Sequence, residues 1–342
     1  LRTVGPQVNK QLTPREMMKG LLQGNRQARP LIVPIVFSLG AKIENLSFRA
    51  YLDNPTKISN ALWQIRTQLR TDGVACYFDP LLEAEALGGT QQWDETNQTR
   101  SIRWPESAQK GELTARLRSP EEAANSSRVR AAVEVIRRLK SLLRDEPLLM
   151  AGVSGPFTLA ARLCGIEPGE MHQGHGPSES ALEVAAAAIT KIASAFVEAG
   201  ANLIFIREES LPPLSSNKCQ NWVSLLAPLF NIVRFYEAMP VLQIGVESAT
   251  AENVAMIFQQ EWDAILCSAS EDFLARAQGR DENFIFGVSA PLEVLEASNS
   301  GGAQSLELSG TKPVLLTTDE DVPVGTDLKR LVSVFDSIAR RG

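Results

Sequence analysis

Acidic side chains follow several of the short apolar runs in this chain, and they are its clearest candidates for chemistry. Asp79 ends the run 73–79, and Glu208 lies near the end of the run 202–209. Carboxylates can act as general acids or bases, bind cations or accept hydrogen bonds from N–H groups. Because a carboxylate that ends a buried strand points towards the interior of the fold, Asp79 is the strongest candidate. The predicted catalytic residues are Asp79, Glu83, Glu208 and Glu247.

The stretch 148–165, LLMAGVSGPFTLAARLCG, predicts a buried strand, a sharp turn and a helix. Pro156 suits the first helical turn because its missing N–H would have had no partner there. The free N–H groups of such a helix start favour an anionic or polar ligand, although an ordinary strand-to-helix turn would have the same sequence. The predicted substrate-binding residues are Ser38, Ser154, Gly155, Pro156, Phe157, Arg162, Arg207 and Gln243.

The histidine and cysteine patterns predict neither a metal site nor a nucleophilic triad. His172 and His175, the only histidines, lie in a glycine-rich segment, where a solvated loop is favoured over a shared metal ion. The cysteines are far apart in the sequence and form no C-x-x-C pair, so we expect reduced thiols and a cytoplasmic protein. They are Cys76, Cys164, Cys219 and Cys267.

Eight short apolar runs alternate with helical segments, which is the pattern of a (β/α)8 TIM barrel. We predict a single domain over 1–342, with an N-terminal helix over 13–26, the barrel over 31–342 and an inserted hairpin or loop over 88–118. A doubly wound open sheet is the alternative, but no G-x-G-x-x-G follows the first strand. The predicted strands are 31–38, 73–79, 148–153, 202–209, 240–246, 264–269, 283–289 and 313–319.

Charge and hydropathy argue against two classes of partner. The 342 residues carry a net charge of −6 and contain no Lys- or Arg-rich run, which argues against nucleic-acid binding. No uninterrupted apolar run approaches the ~20 residues that cross a bilayer, and the first residues lack the apolar core of a signal peptide. We therefore expect a cytoplasmic protein that binds neither nucleic acid nor membrane.

Two motifs resemble the uroporphyrinogen decarboxylase superfamily, which includes the decarboxylase and the methyltransferases that work with corrinoid cofactors. The segment GPFTLA at 155–160 resembles a signature of that family, and DPLLEAEALG at 79–88 resembles its second-strand motif. The resemblance implies the same TIM barrel and a tetrapyrrole or other small-molecule substrate. It also implies that Asp79 hydrogen-bonds pyrrole N–H groups, and it allows a homodimer, which no residue pattern fixes.

The chain departs from the catalytic motifs of both main branches. The decarboxylase's arginine-containing run would fall at 37–41, where there is no arginine, and its tyrosine would fall near Arg162. Its C-terminal histidine has no counterpart. In the thiol-directed methyltransferases an H-x-C pair and a late cysteine bind zinc, but here these positions read Gln243-Ile244-Gly245 and Glu320. A thiol-activating zinc site is therefore not expected.

Three functions remain open at this point. Uroporphyrinogen carries many carboxylates, and its site should be cationic, whereas the predicted barrel mouth is acidic. The first hypothesis is therefore a methyltransferase that moves a methyl group between a small O- or N-methyl compound and a corrinoid carried by a partner protein, with no cofactor bound by the chain itself. The alternatives are a uroporphyrinogen decarboxylase-like enzyme and a non-catalytic barrel that binds a tetrapyrrole or a partner. For an enzyme, we expect Asp79→Ala to lower activity more than stability.

Overall fold

Eight parallel strands form one nearly closed sheet in a computed structural model of the chain. The structure describes residues 12–25, 29–94, 99–104, 117–144, 146–166, 168–171, 176–245, 248–268, 285–297 and 314–341. The predicted (β/α)8 barrel is confirmed. Its strands are β1 Leu31–Ile32, β2 Gly73–Tyr77, β5 Leu148–Ser154, β6 Leu203–Glu208, β7 Met239–Ile244, β8 Ala264–Ser268, β9 Phe286–Ala290 and β10 Leu315–Thr318. They are ordered β1-β10-β9-β8-β7-β6-β5-β2.

The first strand is much shorter than the predicted 31–38, because Pro34 has no N–H to donate to a ladder. Beyond the end of the ladder, hydroxyl groups of β10 form hydrogen bonds with the backbone that follows β1. Thr317 Oγ1 donates to the Val33 carbonyl at 2.7 Å, and the Ile35 N–H donates to Thr318 Oγ1 at 3.0 Å. The chain after β1 therefore stays against β10 without regular pairing.

Side chains close the seam between β1 and β2, which share no ladder. The Asp72 carboxylate accepts hydrogen bonds from both terminal nitrogens of Arg29, at 2.6 and 2.7 Å, and from the Ile32 N–H, at 2.8 Å. One backbone bond, from the Asp72 N–H to the Ile32 carbonyl at 2.9 Å, completes the seam. Closure of the barrel therefore depends on one buried carboxylate.

Helices cover the outside of the barrel. They are α1 Pro14–Leu22, α2 Leu39–Ile43, α3 Phe48–Leu52, α4 Pro55–Leu69, α5 Leu82–Ala86, α6 Pro120–Ala124, α7 Ser127–Leu143, α8 Pro156–Cys164, α9 Pro168–Met171, α10 Glu179–Ala199, α11 Ser216–Phe235, α12 Ala251–Ile257, α13 Leu292–Ala297 and α14 Leu328–Arg341.

Two helical segments differ from the sequence expectation. The pattern predicts one helix over 120–144, but Ser126 caps a second helix by accepting the Val129 N–H, so the segment divides into α6 and α7. Among the described helices, α10 alone has the length and hydropathy to cross a bilayer, although no uninterrupted apolar run was found there. Ten of its residues are buried, and it packs against α8, α11 and β5, as an outer helix of a barrel does.

An antiparallel hairpin interrupts the alternation after α5. Its strands are β3 Thr90–Asp94 and β4 Thr99–Arg103, which lie inside the predicted insertion. Trp93 of β3 packs against Phe48 of α3, with ring centroids 6.4 Å apart. The Arg100 guanidinium of β4 lies 4.9 Å from the Phe48 ring centroid. The hairpin is thereby held against the loops at the carboxyl ends of the strands.

The seam can be tested by comparing two arginine–aspartate pairs. Asp72→Ala leaves the Arg29 guanidinium without its carboxylate partner and the Ile32 N–H without an acceptor, so we expect it to lower the free energy of unfolding by about 2–3 kcal/mol. Asp263→Ala removes a bidentate partner of the half-exposed Arg234 on the surface, and we expect a loss of about 1 kcal/mol or less. Urea unfolding measures both values. Equal losses would show that the seam does not depend on Asp72.

Candidate functional site at the barrel mouth

The predicted site residues gather at the carboxyl ends of the strands, but they do not form one group. Ser154, Glu83 and Asp79 line one small cavity with Arg207. Glu208 lies behind them, beneath the start of α8. Ser38 lies apart, where its hydroxyl donates to the Val322 carbonyl and its N–H to the buried Asp321 carboxylate. Glu247, His172 and His175 are outside the described residues, so their predicted roles stay predictions.

Asp79 is enclosed by cations. Its side chain is fully buried, and its two oxygens accept Arg100 Nη1 at 2.8 Å and Arg128 Nη2 at 2.6 Å. The Leu81 N–H and the Gln91 amide also donate to this carboxylate. The pyrrole-binding role that the family resemblance implies would require one of these arginine contacts to be replaced.

Glu208 occupies the helix start at which an anionic ligand was expected. Its Oε1 accepts the Phe157 N–H at 3.1 Å and Trp222 Nε1 at 2.8 Å. Its Oε2 accepts the Thr158 N–H at 2.9 Å and the Thr158 hydroxyl at 2.8 Å. The first turn of α8 is therefore capped by the protein's own carboxylate. Burial raises the pKa of Glu208 to about 7, although the four hydrogen-bond donors lower it.

This contact explains the glycine and the proline of the GPFTLA segment. A Cβ on Gly155 would lie 2.1 Å from the Glu208 carboxyl carbon, so no larger residue fits. Pro156 occupies the first helical position and is buried together with Phe157. These three residues position the turn that carries Ser154, and no cavity lining includes them among the described residues.

Glu83 and Ser154, both predicted site residues, form a polar pair that faces the barrel axis. Among the described residues, the Glu83 carboxyl group has no ion-pair partner. The Ser154 N–H and hydroxyl donate to the two Glu83 oxygens at 3.1 and 3.0 Å. Arg162 Nη1 donates to the same hydroxyl oxygen at 3.0 Å. Burial raises the pKa of Glu83 to about 7, opposed by Ser154 and the Arg162 cation. This carboxyl can hold a transferable proton near neutral pH.

Arg207 lies at the centre of a second polar cluster. Its Nε donates to Gln243 Oε1 at 3.1 Å, and its Nη2 donates to Glu320 Oε1 at 2.7 Å. Glu209 pairs with Arg207 at 3.3 Å and also with Arg162. The guanidinium lies 4.7 Å from the centroid of the Phe78 ring. The cluster therefore joins β6, β7 and the loop after β10.

The residues at the family's zinc positions do not fit a zinc ion. An amide, a glycine and a carboxylate replace imidazole and thiolates at Gln243, Gly245 and Glu320, and the Arg207 cation lies in contact with the first and the third. No group of three or more His, Cys, Asp or Glu side chains suited to a metal occurs among the described residues.

The space at the mouth is divided by these ion pairs. Two cavities on the axis, beside Glu83 and beside Gln243, have volumes of only about 10 and 30 Å³. A cleft of about 900 Å³ lies further out, between α2, α3, the hairpin and residues 320–325. Phe48, Trp93 and Phe78 give it aromatic walls. Glu320 lines both the cleft and the larger axial cavity, so it stands at the boundary between them.

Several functional residues at this site were not singled out from the sequence. Arg128 lies in the first turn of α7, in a long amphipathic pattern where an arginine normally marks the solvated face. Trp222 is likewise a helical residue, and its indole N–H reaches Glu208 only in the folded barrel. Glu209 and Glu320 follow predicted strands, as the catalytic candidates do, but nothing in the sequence distinguishes them from other loop carboxylates.

Known proteins resemble this chain in sequence and in structure. The family model for uroporphyrinogen decarboxylase matches residues 13–244. A methyltransferase from Methanosarcina mazei has a similar structure, with a TM-score of 0.72 at 14% sequence identity, over 97% of this chain and 99% of that one.

Two further structures are more distant. A putative vitamin-B12-independent methionine synthase from Listeria monocytogenes has a TM-score of 0.51 at 12% identity, over 93% of this chain and 99% of its own. A B12-independent methionine synthase from Shewanella sp. W3-18-1 has a TM-score of 0.52 at 14% identity, over 86% and 90%. No protein with a curated description matches the sequence. At these identities the structural likeness establishes the shared fold.

The enclosure of Asp79 reverses the expectation about its removal. Asp79→Ala leaves Arg100 and Arg128 together without their shared buried partner, so we expect a loss of about 3–5 kcal/mol in the free energy of unfolding. Asp53→Ala is the matched control, because Asp53 also pairs with Arg128 but its side chain is 64% exposed, and its loss should be small. Chemical denaturation of both variants measures the difference. A stable Asp79→Ala protein would restore the original expectation.

The Glu83 carboxyl should make stability depend on pH. Its pKa of about 7 exceeds the ordinary value of 4.5, so the folded state binds the proton more tightly than the unfolded state. The stabilisation is present in full below about pH 4.5 and is lost as the pH rises to about 7, a change of about 3 kcal/mol. Glu83→Gln mimics the protonated form and should remove this part of the pH dependence. Unfolding curves of the wild type and Glu83→Gln at pH 5 and pH 8 test this prediction. It is contradicted if the free energy of unfolding changes between the two pH values by the same amount in both proteins.

Proposed function

The chain belongs to the uroporphyrinogen decarboxylase family, as its motifs predict, and from this premise we propose that it is a methyltransferase without a thiol-activating zinc. It would move a methyl group from a small O- or N-methyl compound to a corrinoid carried by a partner protein. One observation carries the proposal: a buried carboxyl that holds a proton near neutral pH, Glu83, is hydrogen-bonded to a hydroxyl at the barrel mouth.

Demethylation of an ether or an amine needs an acid. The leaving heteroatom keeps the electron pair of its bond to carbon, and it must be protonated to leave as an alcohol or a neutral amine. When Glu83 is protonated, its O–H can donate to Ser154 Oγ, which also accepts Arg162 Nη1. The Ser154 hydroxyl proton is then free to point into the cavity that this residue lines. Glu83 and Ser154 together can deliver one proton to the leaving group.

The outer cleft offers room for a large planar group beside this acid. The corrinoid of the partner protein would supply the nucleophile that accepts the methyl group. A cleft of about 900 Å³ with Phe48, Trp93 and Phe78 on its walls suits the face of a macrocycle better than the small axial cavities do. The similar Methanosarcina structure is itself described as a methyltransferase.

The charge distribution disfavours the decarboxylase alternative. A substrate with many carboxylates needs unpaired arginine forks. Arg100 and Arg128 are paired with Asp79, while Arg162 and Arg207 are paired with Glu209. In the described part of the cleft wall, the other cations are Lys42 and Arg49 at its outer rim.

One observation favours the non-catalytic alternative as a second candidate. Among the described residues, ion pairs fill much of the axis, and the two cavities beside Glu83 and Gln243 are small. A barrel that binds a tetrapyrrole or a partner protein at the outer cleft would not need an open axis. The two candidates differ in whether any methyl group is transferred.

A corrinoid assay tests the proposal. The protein is mixed with cob(I)alamin and a panel of O-methyl and N-methyl compounds, and the change to the methylcob(III)alamin spectrum is followed. We expect turnover that falls as the pH rises through about 7, because Glu83 loses its proton. Glu83→Gln should lower the rate by about 100-fold or more, since it cannot supply a proton.

The control is Glu134→Gln, which alters an exposed ion pair on α7 and should leave the rate unchanged. Absence of any spectral change with all donors would remove the proposal and leave the binding barrel. Formation of coproporphyrinogen from uroporphyrinogen in a parallel assay would establish the decarboxylase instead.

A further inference from the structure

A guanidinium takes the place that the family resemblance assigns to zinc. The first and third zinc positions read Gln243 and Glu320, and both hydrogen-bond Arg207, at 3.1 and 2.7 Å. We propose that Arg207 is the ligand-binding cation of this barrel, that it binds the carboxylate of a small monocarboxylic acid, and that Glu320 occupies this position when no ligand is bound. The inference rests on the proposed function only in taking this acid to be the methyl donor.

Arg207 is built to stay in place. Its side chain is only 7% exposed, and its Nε and Nη2 donate to Gln243 Oε1 and the Asp319 carbonyl. The Phe78 ring supports one face of the guanidinium. A cation held from two sides and stacked on an aromatic ring cannot follow a departing partner, so the Nη2 donor that Glu320 now occupies defines a fixed site for an anion.

Glu320 has the opposite character. Its side chain is 68% exposed, and its one ion pair among the described residues is with Arg207. An exposed carboxylate loses little when it turns into water, whereas the buried Arg207 guanidinium loses its shorter carboxylate contact and keeps only Glu209, at 3.3 Å. A ligand carboxylate can therefore replace that of Glu320 with the same geometry.

The charge balance limits the ligand to one negative charge. Arg162 and Arg207 supply two positive charges, Glu209 and Glu320 pair with them, and the Asp319 carboxyl lines the same cavity beside Arg207. When Glu320 turns away, a single ligand carboxylate at Arg207 replaces its negative charge and leaves the total charge of the cluster unchanged. A second carboxylate at this point would face Glu209, so a dianion is disfavoured.

The surroundings indicate where the rest of the ligand lies. Phe78 lines both the axial cavity beside Glu83 and the outer cleft, and Arg207 lines that cavity together with Ser154. A ligand whose carboxylate is bound by Arg207 would place its apolar part over Phe78, within the cavity that contains the proton-donating pair. The carboxylate contact would then orient the reacting group.

Rescue with small acids tests the inference without any corrinoid. Glu320→Ala removes the internal carboxylate, and formate or acetate should then raise the melting temperature in a saturable manner, with at least a tenfold lower half-saturation concentration than for the wild type. Acetamide at the same concentrations, and chloride at the same ionic strength, should not. A chelator should change nothing, because no metal takes part.

Two further variants keep the test decisive. Glu134→Gln, whose ion pair with Arg138 lies on α7, should respond to acetate as the wild type does. Glu320→Ala/Arg207→Lys keeps the positive charge but lacks the planar fork, and the acetate effect should fall by at least tenfold. The idea is overturned if acetamide acts as well as acetate, or if Glu320→Ala and the wild type respond alike. If acetate stabilises Glu320→Ala but the protein transfers no methyl group, the proposed function is wrong and the carboxylate-binding site still stands.

Discussion

Pairing of buried and half-buried arginines with carboxylates is the constraint on which the mouth of this barrel depends. Arg100 and Arg128 share Asp79, while Arg162 and Arg207 share Glu209. Arg207 and Glu209 lie two residues apart at the end of β6, and in the other three pairs the arginine and the carboxylate come from different elements. The pairs therefore hold loops, hairpin, helices and strands together. Because a buried charge without a partner costs several kcal/mol, none of these groups can move alone. The small axial cavities are a consequence of this pairing.

Carboxylates that look alike in the sequence therefore have different roles in the structure. Glu208 caps α8 from below, and its contact with Gly155 explains why a glycine begins the family's turn. Asp79 holds two arginines in place. Glu83 accepts hydrogen bonds from the Ser154 N–H and hydroxyl, and burial raises its pKa to about 7. Of the described carboxylates predicted as catalytic, Glu83 is the one whose surroundings favour proton transfer.

The cation at the mouth of this barrel is a guanidinium in a place where the family resemblance implies a metal ion. Where the resemblance would place a zinc ion for a thiolate, this chain has a guanidinium between Gln243 and Glu320. A hard, planar cation prefers carboxylate oxygens to sulfur. The replacement therefore accounts for the missing zinc ligands without the loss of a binding site.

The sequence by itself determined the barrel, its order of elements and the family. Alternating apolar runs and helical periods are local signals, and the GPFTLA and DPLLEAEALG segments carry the family's turns. It also located the mouth, because strand ends follow from strand positions. Only the tertiary structure decided which charge meets which. Arg128 is 49 residues from Asp79 and Glu320 is 113 residues from Arg207, and such partners are set by the closure of the barrel. The pKa of a carboxylate depends on these partners and on burial, so its role could not be determined from its position in the chain.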